Sequence, residues 1–226
     1  MLHAVGQPFR CSNCQRSLVF KTEENNCFIC LGCQAINYRL VMPEKTAPTA
    51  ERVKEEMSII QVGTTGVISG KKFEVIGRIQ YFFQDSYRNH WQVLFNDNTV
   101  GWLGDWAGNF CFFLEVNEHH IENIKNAAPG KKIDLKNTLY ELEMMDEHRL
   151  TFAEGEISDT KLTEKEFITL YLNHATEGMG LVNIFKKKDQ GNSFGKALKQ
   201  IEAFTGFYLT AEELNLQNTR NYDDWR

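Results

Sequence analysis

Five of the chain's six cysteines fall between Cys11 and Cys33, in the order C-x2-C, twelve residues, then C-x2-C-x2-C. Two C-x2-C knuckles on facing hairpins can set four thiolates at the corners of a tetrahedron, which Zn2+ accepts at about 2.3 Å per Zn–S bond. The spacing therefore reads as a zinc ribbon. The knuckles Phe9-Arg10-Cys11-Ser12-Asn13-Cys14-Gln15 and Ile29-Cys30-Leu31-Gly32-Cys33-Gln34 echo each other, with an apolar residue before the first Cys and a Gln after the second. This echo points to Cys11, Cys14, Cys30 and Cys33 as the ligands of one Zn2+ per chain. Cys27, in the incoming strand, is the alternative ligand and would act with Cys30. Four thiolates close the coordination shell and leave no position for a substrate water, so the expected zinc is structural.

The net charge of -5 over 226 residues argues against a strongly basic nucleic-acid binder. No run approaches the roughly 18 apolar residues of a membrane span, and the N-terminus lacks an apolar signal core. A cytoplasmic location is expected, where cysteines serve better as metal thiolates than as disulfides.

The expected organisation is a zinc ribbon over residues 1–42 and a charged, proline-containing linker over 43–57. A β-rich domain follows over 58–216, then a loose tail over 217–226. In the ribbon, residues 16–26 and 34–41 read as strands. From Ile59 the pattern turns to strands. Phe73 to Tyr81 alternates, and Trp91–Phe95 and Val100–Leu103 flank the turn residues Asn96-Asp97-Asn98-Thr99. Asn109–Leu114 reads as a buried strand, with Cys111 as a small core hydrophobe. Residues 117–127 read as a short helix. Thr163-Glu164-Lys165-Glu166 reads as a capping box opening a helix through Phe167, Leu170 and Tyr171, and Thr210-Ala211-Glu212-Glu213 as a second. Leu181–Phe185 and Phe204–Leu209 read as strands, with a loop over 186–193. A faint repeat relates Gly63, Ile68, Gly70, Phe73, Glu74 and Val75 to Gly130, Leu135, Asn137, Tyr140, Glu141 and Leu142, 67 residues later. It predicts two related β-units, 58–127 and 128–216. The expected fold is mainly β: a small zinc ribbon, then an antiparallel β-sandwich or barrel-like domain with a few short helices.

The ribbon followed by Ile60-Gln61-Val62-Gly63-Thr64-Thr65-Gly66, Gly70 to Tyr81, Trp91–Phe95, Gly101-Trp102-Leu103 and Ala153-Glu154-Gly155-Glu156-Ile157 resembles the DUF4178 family, bacterial domains without an assigned function. The resemblance is best over about residues 59–116 and weak after 158. It implies a mostly β domain, often preceded by a zinc ribbon and encoded beside membrane-stress or polyamine-synthesis genes. It supplies no catalytic residues. Asn98 stands where the family pattern has a glycine.

No nucleophile elbow, P-loop, dinucleotide fingerprint or HExxH occurs. His119 and His120 are adjacent and would point about 100° apart on a helix, so they read as surface residues. The candidate binding face comprises His90, Trp91, Trp102 and Trp106 with Glu154 and Glu156. The two carboxylates would share one face of a strand. A non-enzymatic zinc protein is expected, whose partner is a protein or a small ligand. Nucleic-acid binding through the ribbon, with Arg10, Arg16 and Arg39, is the alternative. An enzyme using Glu154 and Glu156 is the second.

Overall fold

The computed structural model describes residues 2–40, 58–83, 86–106, 108–116, 121–122, 124, 127–158, 166–176, 178–185 and 201–221. The linker over 43–57, the loop over 186–193 and the His119-His120 pair lie outside them.

The first four strands are short: β1 (Pro8–Arg10), β2 (Ser17–Val19), β3 (Cys27–Ile29) and β4 (Ile36–Tyr38). They form two hairpins, β1–β2 and β3–β4. Next come β5 (Thr65–Ile68), β6 (Lys71–Phe83), β7 (Ser86–Phe95), β8 (Val100–Trp106), β9 (Asn109–Val116) and β10 (Ile121–Glu122). The second half holds β11 (Lys132–Leu135), β12 (Thr138–Ile157), β13 (Glu166–His174), β14 (Gly178–Phe185) and β15 (Ile201–Leu209). A short helix, α1 (Ala211–Leu214), follows.

Two antiparallel meanders, β6–β7–β8–β9 and β12–β13–β14–β15, are joined where β9 pairs β15. The first half of β12 pairs β13 and its second half pairs β6, which closes the eight strands into a ring. The architecture is a barrel rather than a sandwich, and closure leaves the meanders no open edge.

The two meanders share one register. Gly66 faces Phe73 and Ile133 faces Tyr140. The Gly63 N–H donates to the Val75 carbonyl and the Gly130 N–H to the Leu142 carbonyl, both at 2.8 Å. A bulge lies between Val75 and Gly77, and another between Leu142 and Met144. Val93–Gly101 and Trp102–Phe113 in the first meander match Leu172–Gly180 and Leu181–Phe204 in the second. Each hairpin entering a meander turns through two residues of positive φ, Ser69-Gly70 and Lys136-Asn137.

This pairing sorts the apolar residues into layers. Ile79, Trp102, Phe113, Phe167, Leu181 and Phe204 fill the barrel interior. On its outside, Phe73, Val75, Trp91 and Val93 pack under β5 and α1. Tyr140, Leu142, Leu170 and Leu172 pack under β11 at the matching place.

Several local expectations fail. Ile121–Glu122, inside the expected helix over 117–127, is a strand paired with β11. Thr163-Glu164-Lys165 lie outside the described residues, and the segment Phe167 to Tyr171, expected as the helix they open, is not helical. That segment is β13, flanked by β12 and β14, where both of its faces are covered. Among the described residues the only α-helix is α1. Its N-cap Thr210 and Glu213 exchange the reciprocal side-chain-to-backbone bonds of a capping box. The tail is docked as far as Arg220: Gln217 and Thr65 exchange backbone hydrogen bonds, and the Arg220 N–H donates to the Ile59 carbonyl. No helix among the described residues is long and apolar enough to cross a membrane.

Candidate functional site

The two knuckles are conformational copies. The Gln15 N–H donates to the Cys11 carbonyl at 3.1 Å and the Gln34 N–H to the Cys30 carbonyl at 2.9 Å. Gln15 and Gln34 both have positive φ, 60° and 63°. The reversal folds each C-x2-C back on itself and brings both sulfurs to one side. The Sγ atoms of Cys11, Cys14, Cys30 and Cys33 all lie within 4.8 Å of one another. Across the hairpins, Cys11 and Cys33 are 3.6 Å apart, as are Cys14 and Cys30. A tetrahedron with 2.3 Å bonds has edges of about 3.75 Å, so the four sulfurs lie close enough together to bind one metal ion. Burial pushes the Cys11 thiol up, but the N–H groups of Cys14 and Asn13 and the Asn37 amide outweigh it and hold it at about 6. Burial raises Cys30 to about 11. Four thiols this close can all ionise only around a cation. Cys27 is not among them. It is buried in the barrel core, and its thiol donates to the Ile157 carbonyl at 3.3 Å.

The ribbon is built into the barrel. β3 pairs the end of β12, with Ile29 facing Gly155 and Cys27 facing Ile157. Gly155, at φ +76°, faces Gly77 of β6 on its other side. A Cβ on Gly77 would sit 2.1 Å from the Glu156 carbonyl oxygen, so the strands meet there only without a side chain. Glu156 is wholly buried and accepts from the backbone N–H groups of Lys21 at 2.6 Å and Thr22 at 2.9 Å. Burial raises its carboxyl above the usual range and these N–H groups pull it back. Asn25 donates to Gln92 of β7 at 3.0 Å. Ile29 and Ile36 join the interior core beside Trp102 and Phe113.

The expected binding face is largely buried. Trp91 is 0% exposed and Trp102 8%. The Arg78 guanidinium lies 4.5 Å above the Trp91 ring, and its Nε and Nη2 donate to Asn89 Oδ1 at 2.8 and 2.6 Å. Glu154 pairs with the same guanidinium at 3.4 Å. Glu154 and Glu156 therefore do not act together. The kink at Gly155 and the change of partner strand give one carboxylate to a buried cation and the other to the ribbon.

His90 and Trp106 belong to something else. Inside the ring lies a cavity of about 470 Å3 with walls from both meanders. Inward-facing residues supply its polar groups: Arg88 of β7, His148 of β12, and Thr169 and Tyr171 of β13. Arg88 Nη1 donates to the Tyr171 hydroxyl at 2.7 Å. The same hydroxyl lies 2.8 Å from His148 Nε2. Burial, with help from the Arg88 charge, lowers His148 to about 4, so its ring is neutral at pH 7. With Nε2 unprotonated, the hydroxyl accepts from Arg88 and donates to His148. Burial raises Tyr171 above its usual range, so it stays a phenol. The Arg88 guanidinium lies 4.4 Å from the Trp106 ring centroid and 5.3 Å from that of Tyr171. His90 packs its ring on Tyr81 and Phe113. Cys111 also lines the cavity, but burial pushes its thiol up to about 12, which removes it as a thiolate nucleophile.

Of the cavity's polar set, sequence reasoning reached His90 and Trp106 and missed Arg88, His148 and Tyr171 as a group. The available signal was alternation: Arg88, His90 and Gln92 occupy one face of a strand whose neighbours Trp91 and Val93 are buried outside.

No family profile matches this chain, and neither a curated protein nor a solved structure does so.

Proposed function

We propose that this protein is a zinc-stapled barrel that binds a small organic molecule in its interior cavity. Zinc is the metal that fits four thiolates in a closed tetrahedral shell, and it locks the ribbon that is built into the barrel. Thiolates used this way suit a reducing compartment such as the cytoplasm. The observation that carries the reading is the cavity. Its volume lies within the range of small-molecule sites, roughly 300–1,000 Å3, and a mainly apolar wall carries a few convergent polar groups. Binding without chemistry is favoured because Arg88, Tyr171 and His148 are engaged with one another through the Tyr171 hydroxyl and the nearby Cys111 thiol is held protonated.

The test is titration with a neutral apolar fluorophore, N-phenylnaphthylamine, of the wild type and of Met144→Trp. Met144 lines the cavity and is half-buried, so an indole there fills space without opening the core. Saturable binding by the wild type is expected, weakened at least tenfold in the variant while far-UV circular dichroism is unchanged. Equal binding by both proteins, or none by the wild type, removes the reading.

A further inference from the structure

The ligand class follows from a polar pair in the cavity wall that the fold leaves half used; this step rests on the reading of the cavity as a ligand site. Arg88, Tyr171 and His148 are joined to one another through the Tyr171 hydroxyl. Asp105 accepts from the Ser58 hydroxyl, and Glu143 accepts from the Asn173 amide at 2.9 Å. Asn183 of β14 is placed differently. It stands opposite Thr169 of β13, and both residues line the cavity. Leu181 and Phe185, two positions to either side of it, fill the interior core, so alternation along the strand turns Asn183 inward as well. Thr169 Oγ1 donates to Asn183 Oδ1 at 2.8 Å. That bond takes up the hydroxyl proton and turns Nδ2, with its two N–H donors, away from Thr169. Among the described residues Nδ2 meets no acceptor, although Asn183 is only 6% exposed. A buried amide with unspent donors, set between apolar side chains, costs stability unless something in the cavity accepts from it.

We propose that the cavity takes a neutral, mainly apolar molecule that carries a carbonyl oxygen, as a ketone, ester or amide does, with that oxygen accepting from Asn183 Nδ2. Its apolar body lies against Met179, Leu181, Phe167 and Met144. A hydrocarbon of the same shape would cover the amide and leave its donors unpaired, which is the arrangement a hydrogen-bonding site rejects most strongly. A ligand that offers only N–H groups at this point would set donor against donor.

Displacement of N-phenylnaphthylamine by 2-acetylnaphthalene and by 2-ethylnaphthalene compares a carbonyl with a methylene on one ring system. The measured quantity is the ratio of ketone to hydrocarbon affinity, taken in the wild type and in Asn183→Leu, which keeps the volume and removes the amide. The ratio cancels the difference in hydrophobicity between the two probes, because both proteins see the same pair. It should fall by about tenfold or more in the variant. If Asn183→Leu fails to fold, infrared spectroscopy of 2-acetylnaphthalene labelled with carbon-13 at its carbonyl reads the same contact in the wild type. The bound carbonyl stretch should lie near its frequency in alcohol. A frequency like that in hydrocarbon solvent, or an unchanged affinity ratio, overturns the carbonyl assignment and leaves the ligand cavity standing. So does failure of both naphthalenes to displace a fluorophore that binds. If the wild type binds no N-phenylnaphthylamine, both readings fall.

Discussion

Gln92 and Tyr171 occupy the same position in the two meanders. Each stands opposite the residue that follows a bulge, Gly77 for Gln92 and Met144 for Tyr171. Their surroundings differ. Gln92 accepts from Asn25 of the ribbon, whereas Tyr171 lines the cavity between Arg88 and His148. The strands that carry them differ as well. β12 runs for 20 residues where β6 runs for 13, and the end of β12 is what β6 and the ribbon pair with. A closed antiparallel ring built from two similar meanders has two similar interior sites. Here one is taken by a covalently attached plug and the other is a cavity. A metal ion on the four cysteines would fix the plug, because hairpins of three-residue strands cannot hold their shape by burial alone.

Removing the metal is the strongest way to break that comparison. Metal analysis of the purified protein should give one zinc per chain, retained in Cys27→Ser and lost in Cys33→Ser and Cys30→Ser. Structural zinc contributes apparent free energies of roughly 10–16 kcal/mol in isolated fingers, so loss should unfold the hairpins outright. Hydrogen exchange should then show β1–β4 unprotected, with protection lost in the second half of β12 and largely kept in β13 and β14. Probe binding in the cavity should fall much less than ribbon protection. Equal collapse of both would mean that the two ends are one cooperative unit and that the comparison fails.

The cavity end has its own signature, in pH. His148 is lowered from 6.5 to about 4 because burial and the Arg88 charge disfavour its cation, while Asp146 opposes them. The unfolded chain then binds a proton that the folded chain refuses. Stability is fully present above about pH 6.5 and falls as pH drops toward 4, by roughly 3 kcal/mol for one such group. Asp105 and Glu156, raised by burial, work in the opposite direction over the acid range. The useful measurement is therefore a difference. Denaturant melts of the wild type and His148→Phe between pH 4 and 7 should show a gap that moves in the variant's favour as pH falls. The phenyl ring keeps the stack on Phe167 and leaves the Tyr171 hydroxyl without its imidazole acceptor, a cost independent of pH. A constant gap would mean that His148 titrates normally and that the cavity is wetter than described.

What could be read in advance divides along the same line. The knuckles were legible because their chemistry is local: spacing, the echoed Gln and the sulfur count all lie within 24 residues, from Cys11 to Gln34. The strands of the first meander were legible through alternation. β13 was not, because Phe167, Thr169 and Tyr171 face inward while Leu170 and Leu172 are buried outside. With both faces covered, the apolar pattern carries no period to separate strand from helix. The tryptophans misled for a related reason. Trp91 reads as a surface aromatic beside charged neighbours, yet the neighbour that matters is Arg78, thirteen residues away and directly opposite in the sheet. The cavity was hidden because its polar residues are divided among several strands. No window of sequence contains Arg88, His148 and Tyr171 together, and only the closing of the ring does.

The smallest expected effect tests whether the two halves are governed by the same local rules. Both entry hairpins turn through two residues of positive φ, at 49° and 79° in Ser69-Gly70 and at 54° and 63° in Lys136-Asn137. That is the type I′ pattern, for which Asn-Gly is the preferred pair. The first turn already has its glycine, and a Cβ on Gly70 would meet nothing within 4 Å, so the glycine is there for its backbone rather than for space. The second turn holds a lysine in left-handed geometry, which costs a non-glycine residue about 1 kcal/mol or more. Replacing Lys136-Asn137 by Asn-Gly should therefore stabilise the protein by about 0.5–1 kcal/mol. Ser69→Asn alone, beside the existing Gly70, should give only a few tenths by the same turn preference. Chemical denaturation resolves both. If the gains are equal or reversed, the two hairpins differ in strain despite their shared register, and the equivalence of the halves ends at hydrogen bonding.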